Sequence, residues 1–365
     1  MKQALASLLV VLSLLSAAPA DAEGYRMETV AAGLAWPWCI AFLPDGDYLL
    51  TLRGGDLLRV GPDGQLRTRY EGVPRPWVKS QGGLFDVLPD RDFATNAIVY
   101  LTYAHGDAAA NATRAVRARL GATALEDVTP IFTVTPSKDT PVHYGGKLVQ
   151  LDDGTLLMTT GDGFDYREAA QRLTSLLGKT VRFRPDGSIP ADNPYVGRTD
   201  AEPAIWTLGH RNPQGLAVDG EGRVWEHEHG PQGGDELNLL HPGENYGWPV
   251  ASFGIDYNGA RITPFTEYPG MTAPRHHWTP SIATSGLAWY GGDAFPAWQG
   301  DLFLGALAAG GVRRVDLDGE RVLGVSTVFP EIDGRVRDVR VGPDGFLYVL
   351  IDAEDGAVLR IRPAS

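Results

Sequence analysis

A tight turn, usually Asp-Gly or Pro-Asp-Gly, then a strand of alternating apolar residues, a second short turn and a second strand recur along this chain. The clearest copies are LPDGDYLLTLRGGDLLRV (43–60), LDDGTLLMTTGD (151–162), DGEGRVWEHEHG (219–230) and GPDGFLYVLIDAEDGAVLRI (342–361), with weaker cognates at 88–104 and 295–315. Apolar alternation of period two marks strands, and long stretches of period 3.6 are nearly absent, so the chain reads as all-β. Six such units imply a six-bladed β-propeller, each blade sending strands past a central channel and returning outward. Repeats this degenerate also leave room for seven blades or a pair of sandwiches. The Gly/Pro-rich segments 185–199 and 254–280 read as loops on the channel face, where a site would be built.

The first 22 residues hold one lysine, an apolar run from Ala4 to Leu15 and the small-residue ending Ala20-Asp21-Ala22, the pattern of a secretory signal peptide. One propeller domain is then expected over 23–365, in the periplasm or medium. No later stretch approaches the roughly 20 apolar residues that span a bilayer. A lone cysteine, Cys39, forms no intramolecular disulfide, so stability after export must come from packing. A formal net charge of -13 argues against nucleic acid or anionic membrane as partner and suits a neutral substrate. No G-x-G-x-x-G lies between a strand and a helix, so a nicotinamide cofactor is not expected.

Three places carry chemistry. His143, in VHYGGKL, precedes a Gly-Gly step and a strand; an imidazole there suits proton removal from an alcohol, although on residues alone a structural histidine is the stronger reading. The densest stretch is 209–249, GHRNPQGLAVDGEGRVWEHEHGPQGGDELNLLHPGENYGWP. In it Arg211 offers a fixed fork of donors, and carboxylates with free carbonyls in a Gly/Pro loop suit calcium. Zinc fits less well, because only His227 and His229 of the His-Glu-His run fall on one side of an extended strand. Near the C-terminus Arg335 and Arg337 share one strand face, opposite Val336; they could hold carboxylates or merely line a charged edge strand.

The motifs GLAWPWCIAFLPDG, QGGLFDV, HYGGKL, GHRNPQGLA, EHEHGPQGGDELN, NYGWP and RVRDV occur in the order seen in the soluble quinoprotein glucose/sorbosone dehydrogenases. The chain resembles that family over 30–361, most nearly its aldose sugar dehydrogenase branch. The resemblance implies oxidation of an aldose at the anomeric carbon to the lactone, with pyrroloquinoline quinone (PQQ) and Ca2+ as cofactors and an electron acceptor the sequence does not name, in a monomer or homodimer. It casts His143 as general base and Arg211 as the group stabilising charge on the quinone. Gln81, Arg211, Asn212, His229, Tyr257, Ala306, Leu307, Ala308, Arg335 and Arg337 become cofactor contacts. The carbonyls of Gly230 and Pro231 become ligands of a catalytic calcium, and Glu236 and Tyr246 ligands of a structural one. Departures from the glucose branch are Val142 in place of an aspartate, the small Ala306–Ala308 stretch where that branch has a lysine, His229 in place of glutamine, and Leu52 in place of the acidic residue of a T-E-R motif; the first two imply a less polar site, and the small Ala306–Ala308 residues imply looser sugar selection. A calcium-dependent lactonase propeller and a non-catalytic binding propeller are the competing readings.

Overall fold

The computed structural model describes residues 24–364. The expected signal peptide, 1–22, lies outside the described residues. β1 (Tyr25–Leu34) comes first in sequence but last in the ring. Five blades follow in chain order: β2 (Pro37–Phe42), β3 (Tyr48–Leu52), β4 (Leu57–Val60) and β5 (Leu66–Arg69); β6 (Leu84–Pro89), β7 (Ile98–Gly106), β8 (Asn111–Leu120) and β9 (Leu125–Thr133); β10 (Gly145–Gln150), β11 (Leu156–Thr160), β12 (Lys179–Phe183) and β13 (Ile205–Leu208); β14 (Pro213–Val218), β15 (Val224–Glu228), β16 (Asp235–Leu240) and β17 (His276–Trp278); and β18 (Thr284–Trp289), β19 (Leu302–Ala306), β20 (Val312–Asp318) and β21 (Arg321–Val328). The sixth is β22 (Val336–Val341), β23 (Leu347–Ile351) and β24 (Gly356–Pro363), with β1 antiparallel to β24 as its outer strand. The expected six-bladed propeller holds.

The first strands β2, β6, β10, β14, β18 and β22 contact one another in a closed ring around the channel. All six repeated sequence units fall at the same place, the connection from a blade's first strand to its second. In four blades that connection is a five-residue turn, 43–47, 151–155, 219–223 and 342–346, which is why those copies were the clearest; the weaker ones carry the longer connections 90–97 and 290–301. Apolar side chains of neighbouring sheets meet between blades: Trp38 and Phe85 pack with Val99 and Leu101, and Trp225 with Leu287 and Leu304. Cys39 is buried in the first of these clusters, and burial pushes its thiol pKa well up, which fits inert packing.

His143 precedes β10 and Arg211 precedes β14, so the site lies at the ends of the first strands opposite the repeated hairpins. Of the two long segments expected at the site, 254–280 reaches it and 185–199 does not. From 241 to 275 the chain leaves β16 on the hairpin face and climbs to the site face, where Tyr257 reaches Arg211. Segment 185–199 instead leaves β12 on the hairpin face: its Asn193 accepts from Arg182, which also pairs with Asp153 of the β10–β11 turn. Composition marked it as a loop but carried no information about which end of the strand it left.

Candidate active site

His143 stands in the left-handed backbone region, φ 53°, and is 4% exposed. Its Nδ1 lies 2.7 Å from Asp162 Oδ1, and Trp248 Nε1 donates to Asp162 Oδ2 at 2.7 Å. A carboxylate at Nδ1 fixes the proton there, which leaves Nε2 as a lone-pair acceptor; among the described residues Nε2 has no hydrogen-bond partner. Gln81 Oε1 accepts from the His143 backbone N–H at 2.8 Å. Gly161 packs against the same backbone, and a Cβ there would come within 2.2 Å of the His143 carbonyl oxygen. Burial pushes the His143 pKa down, Asp162 pulls it partly back, and Arg211 and Lys138 push it down again, so the net shift is downward. For Asp162 burial acts upward, but the charge and hydrogen bond of His143 outweigh it and hold the carboxyl low.

Beside this pair opens a cavity of about 360 Å3 lined by Trp38, Phe85 and Tyr144 on the apolar side and Gln81, Gln214, His229, Arg53, Arg335 and Arg337 on the polar side. Arg335 and Arg337 both donate to Asp352 Oδ2, at 2.8 and 3.1 Å. Burial lowers the Arg337 pKa, Asp352 raises it, and Arg335 and Arg53 lower it. Three guanidinium groups therefore line the cavity while only two of them, Arg335 and Arg337, reach a carboxylate, the shared Asp352, and Arg337 Nε is buried with no partner. Such a pocket is short of anions. Lys147 Nζ lies 4.4 Å from the Trp38 ring centre and pairs with Asp338 at 3.2 Å, which fixes that wall.

Of the residues singled out from sequence, Gln81, His229, Leu307, Arg335 and Arg337 line this cavity. Asn212 is one step behind: its Oδ1 accepts from Gln214 Nε2 at 3.2 Å and from the Gly145 N–H at 3.4 Å. His229 Nε2 is 2.7 Å from the Thr284 carbonyl, which leaves Nδ1 as an acceptor, and burial pushes its pKa down to about 3. Ala306 is fully buried in its blade and Ala308 is exposed beyond it, so only Leu307 of that trio lines the cavity. Arg211, 3% exposed, donates to the Gly230 carbonyl at 2.7 Å and to the Tyr257 hydroxyl at 3.3 Å; these two side chains line a smaller hollow with Phe164, Trp248 and Pro231.

Glu226, Glu228 and Glu236 occupy one face, whereas Asp235 turns away to accept from Ser281 and from the Gly230, Ile282 and Ala283 N–H groups. Glu226 and Glu228 alternate with His227 along β15, and Glu228 pairs with Glu236 and Glu226 with Asn238 across to β16. His210 closes the group, its Nδ1 3.1 Å from Glu228 Oε1, and His210, Glu226 and Glu228 present ligand atoms within 4.8 Å of one another. Burial and then Glu228 drive the pKa values of Glu226 and Glu236 far up, and Glu226 Oε1 and Asn238 Oδ1 are buried without partners. The Tyr246 phenol is already committed, donating to the Leu239 carbonyl and accepting from the His241 N–H at 2.7 and 2.9 Å. His227 and His229 point the other way, to the Gly286 and Thr284 carbonyls at 2.8 and 2.7 Å.

Sequence reasoning did not find Asp162, Trp248, Arg53, Asp352 or His210. Asp162 and Trp248 stood inside noticed motifs, TTGDG and NYGWP, but their meeting at 86 residues' separation is a property of the ring.

The sequence model of glucose/sorbosone dehydrogenases matches residues 34–360. This chain belongs to that family. Aldose sugar dehydrogenase YliI of Escherichia coli K12 is 39% identical over 366 residues, covering 98% of each chain. The crystal structure of the soluble aldose sugar dehydrogenase of Escherichia coli in its apo-form superposes with a TM-score of 0.89 at 38% identity, over 93% of this chain and all of that one. The PQQ-bound aldose sugar dehydrogenase of Streptomyces coelicolor superposes at 0.76 with 27% identity, over 93% and 99%. The family expected from the motifs holds, and with it the enzyme class, a dehydrogenase.

Proposed function

We propose that this protein oxidises aldose sugars at the anomeric carbon to the lactone, with pyrroloquinoline quinone and calcium as cofactors, after export. The observation that carries the reading is a base with a free Nε2 beside an anion-deficient, flat-walled cavity. Bound PQQ would supply the two-electron sink that takes the hydride from the anomeric carbon, with calcium as Lewis acid beside it. The residues fit that cofactor: Arg53, Arg335 and Arg337 meet its carboxylates, the Trp38 ring offers a face to its flat rings, and Arg337 Nε gains a partner.

His143 Nε2 takes the hydroxyl proton, and Asp162 stabilises the imidazolium that results without itself taking the proton. Arg211 presents a fixed positive charge where negative charge develops, held in place by the Gly230 carbonyl and Tyr257. Gln81 holds the backbone of the base, and Asn212 the start of β10. For metal, the carbonyls of Gly230 and Pro231 would hold the catalytic calcium; in the structure the Gly230 carbonyl accepts from Arg211. Glu236, Glu228 and Glu226 would hold a structural calcium, because three buried carboxylates beside one histidine are short of positive charge. Tyr246 would contribute there through its backbone carbonyl rather than its phenol, which already donates to the Leu239 carbonyl.

The test is dye reduction by the purified protein with calcium, PQQ and a panel of aldoses, each component omitted in turn. Reduction that requires all of them supports the reading. A folded protein that reduces no dye but hydrolyses lactones with calcium alone overturns it.

A further inference from the structure

Outside Arg211 the site face carries two aromatic rings that packing does not require. Phe164 sits on the β11–β12 connection, 40% exposed, with φ at 70°. A bulky side chain in the left-handed region is strained, and an exposed one gains little from burial in return. What holds it is the catalytic pair: its N–H donates to Asp162 Oδ1 at 2.7 Å, the oxygen that also meets His143. Its ring stands edge to face with His143, centroids 5.2 Å apart, and nearly parallel to Tyr257 at 6.1 Å and 24°. Tyr257 is itself 54% exposed. The two rings form an open shelf directly outside the base and the guanidinium.

We infer that Phe164 is a specificity-determining residue whose ring receives the apolar C–H face of the aldose. This rests on the function proposed above. A pyranose is polar at its edge and apolar on its faces. With the cavity filled by the cofactor and the anomeric hydroxyl at His143 Nε2, the rest of the sugar must extend over the rim, where Phe164 stands. Arg167 and Asp256, paired at 3.3 Å, line the same hollow as the two rings and meet the sugar's hydroxyl edge, while the ring-face contact falls to Phe164. Phe164 then selects for a flat C–H face.

The experiment uses the protein loaded with calcium and PQQ. Phe164→Ala is expected to raise KM for aldopyranoses about tenfold, with kcat within a few-fold and the pH profile unmoved. Phe164→Leu, which keeps apolar bulk against His143 but no flat face, should raise KM similarly, and Phe164→Trp should restore it. Calorimetric binding of an anhydroalditol, which lacks the anomeric hydroxyl and cannot be oxidised, should weaken by the same factor. Unchanged KM and analogue affinity in an active Phe164→Ala enzyme would overturn the inference alone. A fall in kcat with a shifted pH profile would overturn it in favour of a prop for His143. If the wild-type loaded protein oxidises no aldose, the functional reading falls and this one with it.

Discussion

At the scale of residues, His143 is tuned by what surrounds it. His143→Gln is expected to cut turnover by about two to four orders of magnitude while leaving PQQ affinity, followed by absorption titration, within a few-fold. The base works when neutral, and burial sets its folded pKa below the ordinary value of about 6.5. The kcat/KM profile should therefore be flat through neutral pH and fall only as acid passes that lowered pKa. Asp162 favours the protonated ring, so Asp162→Asn should move the acid limb still lower while kcat drops, because Nδ1 loses the acceptor that orients it. An acid limb that moved upward would show that another group sets it. His143 stood out because it adjoins the Gly-Gly step before a strand, but only the family resemblance cast it as a base rather than a structural histidine. Asp162 was not, because its role depends on two residues that chain distance keeps apart and the ring brings together.

At the scale of elements, β15 and β16 show how far alternation alone can be read. Period two put His227 and His229 on one side, and the structure has them there, bonded to carbonyls of the next blade. The same rule places Glu226 and Glu228 together opposite them, but only the register with β16 adds Glu236 and Asn238, and register is not written in a single strand. With the calcium proposed for it, the resulting acid cluster makes stability depend on that ion. With their folded pKa values raised, first by burial and then by Glu228, Glu226 and Glu236 bind protons more tightly in the native chain than in the unfolded one. Without an ion, stability is then lost as pH rises past the ordinary carboxylate value of about 4.3. An ion that holds the deprotonated forms cancels that loss. Calorimetric unfolding should therefore show a midpoint raised by calcium over chelator, by about 2.7 kcal/mol at a hundredfold excess over Kd, with the gap wider at pH about 7.5 than at about 5. Equal midpoints at both would remove the ion from this face.

At the scale of the whole molecule, the sixth blade joins the two ends of the described chain. β22, β23 and β24 are consecutive, but the outer strand comes from the start of the sequence, paired from Tyr25 opposite Pro363 to Leu34 opposite Gly356. The repeats at 342–361 showed a sixth unit; nothing local in YRMETVAAGL says that it finishes that unit, because its burial is partial and its partner lies more than 300 residues away. Glu28 bridges Arg360 and Arg362 across the seam, yet these groups are partly exposed, and such pairs add little beside the backbone ladder itself. The ladder should dominate. Removing residues through Leu34 would expose the long edge of β24 and uncover Tyr25's packing on Phe329, where the rings meet at 5.0 Å. A mature chain cut after Leu34 is therefore expected to unfold about 10 °C or more below the intact one, while Glu28→Ala shifts the midpoint only slightly. Since Arg335, Arg337 and Asp352 stand at the site end of the same blade, the truncation should also weaken PQQ binding in the protein that remains folded. Truncated protein with an unchanged midpoint and unchanged cofactor affinity would mean that the inner three strands hold the ring and its arginines without the seam.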